Sequence, residues 1–383
     1  MTASPQFPAF DLPEETVALR MEVRAFLSEA LTDYPAGERA KSWLGFDWDF
    51  TRKVAAKGWI GMTWPKQYGG RELSAFHRYV VVEEMVMAGA PVLAHWIADR
   101  QSGPLILRFG TDAQKEKYLP PITRGESCFA IGMSEPDAGS DLASVRSRAG
   151  RTDGGWVVNG TKIWTSNAHR CQAMIALFRT GSIESRQAGL TQFIVDMPTR
   201  GVTVNPIIDM AGEHHFNEVV FRDCFLPDEQ LLGSEGSGWA QVTSELALER
   251  SGPERFMSSM PLLREMVGAA GPDCPASSAA AIGQLTARHA VLRQMSISIA
   301  GQLHNHADPQ LEAACLKDLG GNLEQLVPQL AQDLMDEQPL LAAYAPGYAA
   351  SLARTMEMAP SFSLRGGARE VLRSIIARGA GLR

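Results

Sequence analysis

The sequence predicts an α+β chain of several domains: an N-terminal helical domain over 1–128, a middle β-barrel or sandwich over 129–239, and a C-terminal helical bundle over 240–383. The first ground is a change of apolar period. Three- and four-residue spacing runs to about Cys128, short β-branched and aromatic runs follow to about Trp239, and the helical period then returns. The second is length, since 383 residues exceed what one hydrophobic core serves.

In the first segment, ETVALRMEVRAFLSEAL and ELSAFHRYVVVEEMVMAG repeat apolar residues at helical spacing. TDAQKEKYL opens on Thr111 with Gln114 three places on, the pattern of a capping box. The middle segment holds WVVNGTKIWTS, whose Asn-Gly pair signals a hairpin, then MIALF, TQFIVDM, GVTVNPII and NEVVFRDCFLP. In the last segment, ASSAAAIGQLTARHAVLRQMSISIAGQL and QLEAACLKDLGGNLEQLVPQLAQDLM are long enough for bundle helices. GAREVLRSIIARG sets Val371, Leu372, Ile375 and Ile376 on one face. GAAGPDCPASSAAA, at 268–281, reads as a loop entering a helix.

A formal charge of −7 gives no basic footprint for nucleic acid. Cys128, Cys171, Cys224, Cys274 and Cys315 stand far apart, with no metal-ligand spacing, which points to a reducing compartment and no metal site. The start is neither basic nor apolar and no window holds about 18 apolar residues in a row, so a cytoplasmic chain without a membrane span is expected.

Three stretches carry chemistry. FAIGMSEPDAGSDLAS, at 129–144, puts Ser134, Gly139 and Ser140 in a loop that can bring N–H groups and hydroxyls to an anionic or heteroaromatic ligand, although such a loop is also ordinary turn vocabulary. In NGTKIWTSNA, strand alternation aims Trp164 and Ser166 at one face, for stacking and edge hydrogen bonding or simply as core. SELALERSGPERF is a helix with Glu249 beside Arg250, followed by Gly252 and Pro253.

These motifs in this order, with FNEVVFRDCFLPDEQLLGSEGSGW, WPKQYGG and GGAREVLRSIIAR, resemble the acyl-CoA dehydrogenase family of flavoproteins from about Glu14 to the C-terminus. The resemblance implies a C-terminal four-helix bundle and FAD held between it and the β-domain. It also implies removal of hydrogen from the α and β carbons of an acyl-CoA thioester. It sets FAD contacts at Met133, Ser134, Gly139, Ser140, Trp164, Thr165 and Ser166, and substrate contacts at Ser140, Arg250 and Gly366.

The family places its catalytic glutamate in one of two positions. Near the C-terminus the matching residue here is Gly366, which cannot act as a base. The other position, used by members similar to isovaleryl-CoA dehydrogenase, matches Leu248-Glu249-Arg250, so Glu249 is the expected base. Taken alone, Glu249-Arg250 would be a surface ion pair. Glu245, one turn earlier, is expected to be solvated or structural, and Pro253 should bend the helix at Glu249, whose carbonyl its ring would meet.

Homomeric members bind the adenosine and pyrophosphate half of a neighbour's FAD through an Arg-x-x-Phe-Gly stretch and a later glycine-rich segment. Here those regions read PASSAAAIGQL and LMDEQPLLA, and Ala368 replaces the usual threonine. The departure resembles heteromeric members of bacterial sterol side-chain catabolism. It implies a paralogous partner in an α2β2 assembly, a bulky steroid-like CoA ester, and an electron-transfer flavoprotein or similar acceptor. An oxidase of the same fold and a non-catalytic subunit are the alternatives.

Overall fold

The computed structural model describes residues 4–382, with the side chains of 245–249 outside the description. Contacts divide the chain into two compact units: Met1–Phe50, Leu73–Leu93 and Glu249–Arg383 form one, and Thr51–Glu72 with Ala94–Leu248 form the other.

The first unit is helical. Ala75–Ala88 is apolar on nearly every side and packs on Glu15–Ala30 and on Ala276–His304. Its two buried carboxylates require partners, because an unpaired charge in a core is strongly destabilising. Glu83 meets Arg20 at 2.7 Å and Arg293 at 2.6 Å, and Glu84 meets Arg24 at 2.8 Å. Toward the C-terminus, Gln310–Glu337 packs against Ala276–His304, Pro346–Phe362 and Arg369–Gly379. Leu372 of the last helix is buried, while Val371, Ile375 and Ile376 are half-buried. The expected loop at 268–281 is shorter in the structure. The helix Met260–Ala270 ends at Gly271, whose φ of 67° a side-chain-bearing residue resists, and the next helix starts at Ala276.

The second unit is built on a seven-stranded sheet: β1 (Phe129–Gly132), β2 (Arg148–Thr152), β3 (Gly155–Lys162), β4 (Ala173–Arg179), β5 (Leu190–Asp196), β6 (Val202–Ile207) and β7 (Phe216–Pro227). The order is β1-β4-β2-β3-β7-β6, with β5 paired to β4. β4 is buried along its whole length, as its apolar run from Ala173 to Phe178 favours, and Phe178, Phe193, Phe221 and Trp156 pack in the core at interplanar angles of 57°, 71° and 83°. The helix Asp112–Thr123 begins with the Thr111/Gln114 capping box, its two bonds 3.0 and 3.2 Å long.

The Asn159-Gly160 pair does not form the hairpin. It lies inside β3 at a bulge, where Gly160 approaches Ser147 so closely that a Cβ would stand 2.2 Å from its Oγ. Asp153-Gly154 makes the turn instead, with Gly154 at φ 71° and Thr152 paired to Gly155. All five cysteines are free thiols. Among the described residues no helix is long and apolar enough to cross a membrane, and no group of His, Cys, Asp or Glu is placed to hold a metal.

Candidate active site

In the sheet unit, β1 delivers the chain into Met133–Ala138, a tight turn closed by reciprocal bonds between Glu135 and Ala138. Glu135 is buried and faces inward. Its carboxylate accepts Arg146 N–H at 2.6 Å and Ser147 N–H at 2.9 Å and pairs with Lys162 at 2.7 Å. Lys162, fully buried on β3, also donates to the Met133 carbonyl at 3.1 Å. Burial pushes the Lys162 ammonium down to about 8 against the pull of Glu135. The Glu135 carboxyl is held below its ordinary value: its burial opposes this, and the Lys162 charge with hydrogen bonds from Arg146, Lys162 and Ser147 outweighs that opposition. This ion pair fixes the loop on which Met133 and Ser134 are half-buried and Gly139 and Ser140 are exposed. A Cβ at Gly139 would meet nothing within 4 Å, so the loop is open there.

The same loop is tied to the tryptophan stretch, because Ile163 N–H donates to the Ser134 carbonyl at 2.9 Å. Strand alternation fails here. β3 ends at Lys162, and Trp164 takes φ 58°, so Trp164 and Ser166 are not presented by a regular pleat. Trp164 is nevertheless 58% exposed, braced edge-on by Phe216 at 5.9 Å, and Ser166 is half-buried. Thr165 is fully buried, donating its N–H to Asn217 O at 3.0 Å and accepting from Asn217 Nδ2 at 2.9 Å.

In the helical unit, the side chains of Glu249 and Glu245 lie outside the described residues; the backbone at 249 belongs to the last turn of Gly238–Arg250. Pro253 does not bend that helix. The helix stops at Arg250, Gly252 is extended as a residue before proline must be, and Pro253 opens a short 3-10 turn, Pro253–Arg255. The chain after the helix is held on several sides. Ser296 Oγ donates to Ser251 O at 2.9 Å, Ser258 Oγ to Glu254 O at 3.0 Å, and Ser258 N–H to Glu324 at 3.0 Å.

Gly366 is joined to this region by Arg250 Nε, which donates to its carbonyl at 3.0 Å. It has φ 73°, and a Cβ there would stand 3.0 Å from Arg255 Cζ. A side chain at position 366 would therefore meet a buried guanidinium.

Sequence reasoning missed Asn217 on β7, which bonds Thr165, and the two histidines that bond Asn217, His214 from the approach to β7 and His169 from the segment before β4. More than forty positions separate His169 from Asn217, and no spacing rule joins them.

The comparisons with known proteins bear on the family and the fold. Residues 13–126 match the acyl-CoA dehydrogenase N-terminal domain and 130–224 the middle domain. The chain is 31% identical to acyl-CoA dehydrogenase FadE29 of Mycobacterium tuberculosis, over 96% of each chain. It is 33% identical to acyl-CoA dehydrogenase IpdE1 of the same organism, over 62% of this chain and 63% of that protein. The match thus spans under two thirds of IpdE1. The structure superposes on the Tcur3481-Tcur3483 steroid ACAD with a TM-score of 0.85 and 26% identity, covering 98% of this chain and 100% of that one. The chain belongs to the acyl-CoA dehydrogenase family.

The family's FAD can be tested against the residues present. An exposed indole, a half-exposed hydroxyl two residues on, and a glycine loop without an obstructing Cβ suit a ring system with a phosphate-bearing tail. The residues fit.

Proposed function

We propose that the chain is the base-carrying subunit of an FAD-dependent acyl-CoA dehydrogenase. Glu249 takes the α-proton of the thioester while the β-hydrogen leaves with its electron pair, and the α C–H electrons become the new double bond. Bound FAD supplies the acceptor for that hydride. Met133, Ser134, Trp164, Thr165 and Ser166 hold the ring, Gly139 and Ser140 meet the phosphates and the CoA, and Arg250 and Gly366 border the substrate. The observation that carries this is the bond from Ile163 N–H to Ser134 O, which joins two motifs distant in sequence beside an exposed tryptophan.

We read the chain as three segments, 1–128, 129–239 and 240–383, acting in the cytoplasm on a bulky steroid-like CoA ester. A paralogous chain completes each FAD site in an α2β2 assembly, and an electron-transfer flavoprotein or similar carrier takes the electrons. The altered PASSAAAIGQL and LMDEQPLLA regions and the similarity to a steroid ACAD support this part.

Glu249→Gln in the complex with its partner is the test. Retained flavin with dehydrogenation lost supports the assignment; full activity moves the base to the partner chain. Stoichiometric FAD in this chain expressed alone would refute the shared site.

A further inference from the structure

Trp164 and Asn167 both stand in the left-handed region, at φ 58° and 56°. Asparagine visits that region readily, whereas tryptophan stays there only where its surroundings leave no alternative. The pairing with β7 shows what has happened. Lys162 lies opposite Val219, yet Thr165 N–H reaches Asn217 O at 3.0 Å and Asn167 N–H reaches His215 O at 3.0 Å. The tryptophan strand has gained one residue relative to its partner, and Trp164 is the extra residue of a bulge.

Asn217 closes this bulge twice. Its backbone carbonyl accepts from Thr165 N–H, and its side-chain Nδ2 donates back to Thr165 O at 2.9 Å. Its Oδ1 accepts from His169 Nδ1 at 3.1 Å and from His214 Nε2 at 2.8 Å. The two imidazoles are stacked, 3.8 Å between centroids and 14° between planes. Both lone pairs of Oδ1 are therefore used, and a reversed amide would abandon Thr165 O, so with Nδ2 committed there each imidazole meets Oδ1 as an N–H donor. Asn217 is fully buried, so water cannot compensate for a wrong orientation. Partial desolvation, with His214 and Arg170 alongside, holds the His169 imidazole down at about 4, and it meets Asn217 as a neutral donor.

We propose that Asn217 is the positioning residue of the Trp164–Ser166 loop, its amide oriented by the stacked His169–His214 pair so that the bulge keeps the indole open for a ring ligand. The clamp stands on the contacts above; only its use, holding the flavin ring, rests on the proposed function.

The test labels the full chain with 5-fluorotryptophan and follows the Trp164 fluorine resonance, assigned by Trp164→Phe. Asn217→Asp keeps the shape and removes the donor to Thr165 O. We expect the Trp164 line to shift or split, and FAD affinity of the complex with the partner to fall at least tenfold. An unmoved Trp164 line in folded Asn217→Asp protein overturns the proposal. Should that variant not fold, His214→Phe retains the stack and removes one donor to Oδ1; there too a moved line supports the clamp and an unmoved one overturns it. A moved line with unchanged FAD affinity leaves the clamp standing and removes Trp164 from the flavin site.

Discussion

Restoring a side chain at Gly366 tests whether the second base position is closed. Gly366→Ala must hold an L-residue at φ 73°, which costs about 1–2 kcal/mol. Its Cβ must also push back the Arg255 guanidinium, with Cζ at 3.0 Å and both terminal nitrogens at 3.1 Å. Arg255 is 1% exposed, so displacement disturbs packing rather than solvent, and about 1 kcal/mol more is a modest allowance. The sum is about 2–3 kcal/mol. With an unfolding entropy of about 2.1 cal/mol/K per residue, 383 residues give about 0.8 kcal/mol/K, so Tm should fall by about 3 °C. The companion variant, Glu249→Gln with Gly366→Glu, carries the carboxylate from one family position to the other. It should remain inactive, because the new carboxylate meets the Arg255 guanidinium first. A Gly366→Ala protein as stable as the parent by thermal denaturation, or a double variant that again dehydrogenates an acyl-CoA, would refute the reasoning.

Glu135→Gln leaves the Lys162 ammonium buried without its counter-charge and should cost about 3–5 kcal/mol by urea denaturation, much of it recovered in Glu135→Gln/Lys162→Met. The pair also sets two pH slopes. Because the folded Glu135 carboxyl lies below its ordinary 4.5, its stabilisation is complete above that pH and is lost as pH falls through the folded value; Glu135→Gln should lose this acid limb. Lys162 adds a second slope of the same sign, since its folded value of about 8 also lies below 10.5, and stability from this group rises as pH goes from 8 to 10.5. Pro253→Ala should leave helical content by circular dichroism unchanged and cost only about 0.4–1 kcal/mol, because the helix has already ended at Arg250; a gain of a helical turn would contradict this.

What could be read in the sequence was what depends on local chemistry. The Thr111/Gln114 cap, the buried run of β4 and the helical periods are each set within a few residues, and each stands where its pattern placed it. The misplacements arose where a distant segment decides. Asn159-Gly160 carries hairpin chemistry, but Ser147 needs that glycine as a place of close approach. Trp164 and Ser166 alternate on paper, yet the extra residue against β7 turns the tryptophan out of the strand. Pro253 suggested a kink only on the assumption that the helix continued through Gly252. Asn217 carried no signal, since its importance arises from the pairing of β3 with β7.

Lys162 has a chemical consequence of another kind. Thioesters acylate amines without catalysis, and a lysine whose ammonium is pushed down to about 8 keeps an appreciable neutral, nucleophilic fraction near physiological pH. Held at 0% exposed between Met133 O and Glu135, that amine is sealed from any acyl donor. Acylation at Lys162, read by peptide mass spectrometry after prolonged incubation with a reactive thioester, thus marks molecules whose covering turn has opened, at a rate set by the open fraction and by the return of the exposed amine toward its ordinary protonated state.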